Sequence, residues 1–133
     1  MLQIQTQKEN YSGHIIFDDS FQWKDLEKYF PDMWEIIEEE SKLNAEEKQF
    51  NDILLELNLE EIRKNKKPFG YRRENARYRM IFPQNKSEIT IYRNIASENI
   101  EELTEKLAHE IRNKKIKYTI KYDDMLFYKL GKK

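Results

Sequence analysis

The chain has 133 residues, no cysteine, 37% charged residues and a formal net charge of −1. That length suits one domain around one core, and the lack of thiols excludes a disulfide framework, a thiolate metal site and a cysteine nucleophile. An aromatic content of 13% speaks against disorder. No apolar run approaches the roughly 18 residues that span a bilayer, and MLQIQTQKEN has neither the basic nor the apolar region of a secretory signal, so a cytoplasmic protein away from membranes is expected.

Read in chain order, Leu2, Ile4 and Thr6 alternate with Gln3, Gln5 and Gln7, the pattern of a short strand. Asn10-Tyr11-Ser12-Gly13 reads as a turn, and His14–Phe17 as a second strand. Asp18, Asp19 and Ser20 offer cap oxygens to a helix through Phe21, Trp23, Leu26 and Tyr29. Pro31 interrupts that helix and suits the first turn of another, which carries Met33, Trp34, Ile36 and Ile37. Asn44 and Glu47 form a capping pair ahead of Phe50, Ile53, Leu54 and Leu57, which keep the 3–4 spacing of an apolar helix face. Asn58 is a point where this helix breaks or is recapped, and the basic segment from Arg63 to Lys67 ends it. Residues 75–82 and 88–95 alternate as two strands around a turn at 83–87, with Tyr78, Met80 and Phe82 facing the core. Ser97 caps a helix bearing Ile100, Leu103, Leu107 and Ile111, and two further strands follow around Asp123-Asp124. The sum is a single α+β domain, a mainly antiparallel sheet of five to six strands covered by helices.

The near-neutral total conceals two poles. Residues 1–62 hold 16 Asp and Glu against 5 Lys, a balance of −11; residues 63–133 hold 9 acidic against 19 basic residues, a balance of +10. Such asymmetry points to an anionic partner for the basic pole, to a protein partner for the acidic one, or to self-association of acidic with basic faces. The basic pole is densest in FGYRRENARYRMIF, which holds Arg72, Arg73, Arg77 and Arg79. Arg77 and Arg79 share one strand face about 7 Å apart, and Tyr92 of the next strand is expected beside them. Guanidinium forks grip phosphate in a bidentate manner, and an aromatic ring stacks on a base. Lys66, Lys67 and Arg93 extend the expected ligand site.

Other chemistry is sparse. His14 and His109 lack metal-ligand spacing, and Asp18-Asp19 with Asp123-Asp124 would hold Mg²⁺ only if folding united them. No metal or cofactor is expected. The leading expectation is a non-enzymatic binder of an anionic ligand, either nucleic acid or a phosphorylated nucleotide-like molecule. The alternative is a protein–protein module, such as a phage-type anti-defence inhibitor, acting through Glu38, Glu39 and Glu40. A third reading comes from a partial resemblance. The strand at His14–Phe17, the helices and the hairpin RYRMIF…EITIYRNI resemble the RelE/ParE toxin superfamily over residues 14–95. That resemblance implies mRNA cleavage and implicates Arg77, Arg79 and Arg93. The chain departs from the superfamily in its extra first strand, the helix after Asn94 and the final hairpin, and it leaves only Tyr122 and Tyr128 as candidates for the terminal catalytic group.

Overall fold

The computed structural model describes residues 10–41, 43–72, 76–97, 99–112 and 115–123, with the backbone alone at 94–97. Strand β1 (Asn10–Phe17) is followed by a 3-10 turn (Trp23–Leu26) and helices α1 (Phe30–Glu39) and α2 (Ala45–Arg63). Strands β2 (Arg79–Ile81) and β3 (Glu88–Ser97), helix α3 (Asn99–His109) and strand β4 (Tyr118–Tyr122) complete the order. The four strands form one antiparallel sheet in the order β2-β3-β1-β4. The fold is thus α+β with four strands among the described residues, not five to six. The two other expected strands, at 2–6 and 125–130, lie outside the described residues.

Two local expectations are corrected. Asn10-Tyr11-Ser12-Gly13 is not a turn but the first half of β1, paired with β3 through a register shift between Asn10 and Ser12. Gly13 serves close packing instead of chain reversal. A Cβ there would sit 2.0 Å from Thr104 Oγ1, so the missing side chain lets α3 rest on β1. The helix expected at 21–29 is only the 3-10 turn at Trp23–Leu26. Gln22 and Asp25 close it by a reciprocal capping box. The rings of Phe21 and Trp23 pack against Phe17 and Phe82 and hold the segment on the sheet. Pro31 stands in the first turn of α1, as its fixed φ favours.

Helix α2 begins where the sequence indicates. Glu47 N–H donates to Asn44 Oδ1, and Asn44 N–H donates back to Glu47 Oε1. It does not break at Asn58. That residue is buried; its amide donates to the Leu54 carbonyl and its Oδ1 accepts from Gly70 N–H at 2.7 Å. Gly70 has φ +102°, where a Cβ would lie 2.5 Å from the Met80 carbonyl oxygen, so glycine is required.

The core lies between the sheet and the helices. Ile15, Phe17, Met80, Phe82, Ile89 and Ile91 point inward from the sheet toward Phe30, Met33, Trp34 and Ile37 of α1 and Ile100, Leu103 and Leu107 of α3. Of the strand expected at 75–82, β2 covers only Arg79–Ile81, with Arg77 and Tyr78 in a bend; Tyr78, Met80 and Phe82 are buried, and Arg79 and Ile81 are only half-buried.

Candidate functional site

The outer face of the sheet collects the polar chemistry. Its rows follow from the register. Arg79 of β2 stands opposite Tyr92 of β3, and Tyr92 opposite Ser12 of β1. Ile81, Thr90, His14 and Lys121 form the next row, and Glu88, Ile16 and Thr119 the one after. On the far side of β2, Tyr71 and Met80 exchange backbone hydrogen bonds of 2.9 and 2.8 Å in an antiparallel bridge. Because Tyr71 and Met80 both point to the core, the next positions, Arg72 and Arg79, fall together on the outer side. Arg79 and Tyr92 are cross-strand neighbours about 5 Å apart, and Arg72 follows directly on the bridge beside them. Arg72 and Arg77 are exposed; Arg79 and Tyr92 are half-buried.

Beside this row, on the same face, lies a buried polar network that the sequence did not reveal. Glu88 Oε2 accepts from His14 Nδ1 at 2.6 Å and from the Thr90 hydroxyl at 2.8 Å. The other ring nitrogen of His14 lies 2.8 Å from Ser12 Oγ. An ionised carboxylate only accepts, so Nδ1 carries a proton, and in the neutral ring Nε2 accepts from Ser12. Burial pushes the Glu88 carboxyl up, but the hydrogen bonds from His14 and Thr90, with the charges of His14 and Lys86, outweigh it and hold the acid below its usual value. The order Ser12–His14–Glu88 matches that of a nucleophile, base and orienting acid. Ser12 and His14 are, however, only 0% and 2% exposed, so the network ties β1 to β3 next to Tyr92 and is not a nucleophile open to substrate.

The remaining expected ligand residues divide. Arg93 belongs to the opposite, helix-covered face, its guanidinium 5.3 Å from the centre of the Tyr78 ring. Lys67 donates to the Pro83 carbonyl at 3.0 Å, and Lys66 is exposed just past α2. Arg73 lies outside the described residues. The three acidic residues assigned to a partner do not form one surface either. Glu38 is buried between α1 and α2, bonded by Asn51 and by Lys48 at 3.1 Å; Glu39 is exposed; Glu40 is half-buried in a cleft with Tyr78 and Lys106.

Asp18 and Asp123 are not united, and Asp124 lies outside the described residues. Asp18 follows the last residue of β1, where it caps Ser20, whereas Asp123 accepts from Tyr11 N–H at the other end of that strand. Tyr122 faces α3 and donates to Glu105 at 3.1 Å. Burial, then the charge and hydrogen bond of Glu105, raise its phenol far above the usual value, so it stays protonated. Tyr128 lies outside the described residues. No family model matches the chain, and neither a curated protein nor a solved structure is similar to it, so the likeness to the toxins gains no support.

Proposed function

We propose that the protein binds a phosphate-bearing ligand with an attached base, single-stranded nucleic acid or a nucleotide, across the row Arg72–Arg79–Tyr92. The observation that carries this reading is the register. It sets Arg79 directly across from Tyr92 on one sheet face, with Arg72 next to the Tyr71–Met80 bridge and the exposed Arg77 two residues before Arg79. Guanidinium groups so placed suit one or two phosphates, and the adjacent phenol offers a stacking surface for the base. The network of Ser12, His14, Glu88 and Thr90 ties β1 to β3 beside Tyr92, which supports a preorganised stacking surface.

Fluorescence anisotropy with a labelled oligothymidylate, and calorimetry with a nucleoside triphosphate, test the proposal. Replacing Arg77 and Arg79 together by alanine is expected to weaken binding at least about tenfold, and to lower the slope of log K against log salt by roughly 1.4 for a single strand. Undiminished affinity in a variant with an unchanged circular dichroism spectrum would refute it.

A further inference from the structure

Helix α2 is buried along one side only, through Asn51, Asn58, Leu59 and Ile62. Its opposite side carries Phe50, Ile53 and Leu57, which are 57%, 56% and 42% exposed. These were the residues whose spacing read as a core face. The two asparagines on the true inner line explain the reversal: Asn51 bonds Glu38 and Asn58 bonds Gly70, so polar pairing seats that line against the protein. The i, i+3, i+7 positions leave an apolar stripe two turns and about 10 Å long on the outside. Phe69, 58% exposed, lies in the loop after the helix, next to Gly70, whose N–H donates to the inner-line Asn58. Three of the four large apolar side chains that are exposed among the described residues lie on this stripe. A contiguous patch of this kind marks an interaction surface, where scattered apolar residues do not.

The ends of the stripe are acidic. Glu46 lies one turn before Phe50, and Glu60 and Glu61 lie one turn after Leu57. Among the described residues, neither Glu46 nor Glu60 has an ion-pair partner. This layout disfavours a second copy of the same helix. Antiparallel pairing of Phe50 with Leu57 would bring Glu46 and Glu47 of one copy against Glu60 and Glu61 of the other. We infer that the α2 stripe docks an amphipathic helix of another protein, one with an apolar line at the same spacing bordered by lysine or arginine. Apolar anchors supply contact along the stripe, and the acidic ends select the basic border. The surface is distinct from the arginine row and does not depend on it.

The test uses three labelled synthetic helices of about 18 residues. One has leucines at the 3–4 spacing with lysine borders, one has glutamate borders, and one has the leucines replaced by serine. The protein is expected to bind the first and neither of the others in fluorescence anisotropy. Changing Ile53→Ser with Leu57→Ser should weaken that binding at least about tenfold, while the thermal midpoint shifts by no more than about 5 °C because both side chains are largely exposed. Equal binding of the glutamate-bordered helix overturns the inference, as does undiminished binding by the double variant. A wild-type chain that sediments as a dimer and becomes monomeric in the double variant also overturns it, since the stripe would then be covered by a second copy.

Discussion

Replacing Glu88 by glutamine tests the buried network through its pH dependence. The carboxylate accepts two hydrogen bonds on Oε2, from His14 Nδ1 at 2.6 Å and Thr90 Oγ1 at 2.8 Å. Bonds to a charged acceptor contribute about 1.5–3 kcal/mol each, against about 0.5–1.5 for neutral pairs. Glutamine keeps an acceptor in place and removes the charge, which lowers the two bonds by about 2 kcal/mol together; relief of the buried charge returns part of this. The expected net loss at pH 7 is about 1–2 kcal/mol, a fall in melting temperature of roughly 4–8 °C for a chain of this size. The sign with pH follows from the lowered pKa of Glu88. Its contribution is complete above the ordinary carboxylate range and disappears as pH falls through the depressed folded value. Because glutamine resembles the protonated acid, wild type and variant should converge as the pH falls through that depressed value. Urea unfolding followed by circular dichroism across a series from pH 7 into the acid range measures the change. A stability gap that does not narrow toward acid pH would refute the account, as would no gap at pH 7.

Four further outcomes are expected. Gly13→Ala should destabilise the fold by about 1–3 kcal/mol through collision with Thr104, and Thr104→Ala in the same chain should recover part of the loss in urea unfolding. Asn58→Ala leaves the Gly70 amide without its acceptor, at a cost of about 1–3 kcal/mol, and should speed limited proteolysis around Phe69. Gly70→Ala forces a Cβ into a left-handed position against the Met80 carbonyl, and a lowered melting temperature is expected even in the presence of the wild-type Asn58. In the proposed ligand site, Tyr92→Phe should keep oligonucleotide affinity whereas Tyr92→Ala should lose about 1–3 kcal/mol; equal loss in both would assign the role to the hydroxyl instead of the ring.

What the sequence made legible was local. The alternation of Tyr78, Met80 and Phe82 needs only the strand period, and the Asn44–Glu47 capping box needs only three residues of separation. The buried line of α3, from Ile100 to Leu107, follows the helical period in the same way. Where several faces compete, periodicity was insufficient. Helix α2 has apolar residues on both sides, and its buried side is decided by Asn51 and Asn58 reaching partners 13 and 12 residues away. The His14–Glu88 pair joins strands 74 residues apart, and only the β1–β3 register brings it together. The same holds for Arg72 beside Arg79, where a sequence shows the arginines but not the Tyr71–Met80 bridge that aligns them.

The strand order has a further consequence, for the time course of folding. β1 sits between β3 and β4, so the earliest described strand has no neighbour close to it in the chain: Phe17 pairs with Tyr118, and Ser12 with Tyr92. The acidic and basic stretches are therefore interleaved in space, and neither can complete a sheet without the other. Such distant pairings bear their loop-closure entropy before any contact rewards it, which slows folding relative to a helical bundle of similar length. During synthesis the described partners of β1 emerge only after α1 and α2. The buried polar residues of β1, Ser12 and His14, make that delay safer, because they interrupt what would otherwise be a continuous apolar edge ready to pair with another chain.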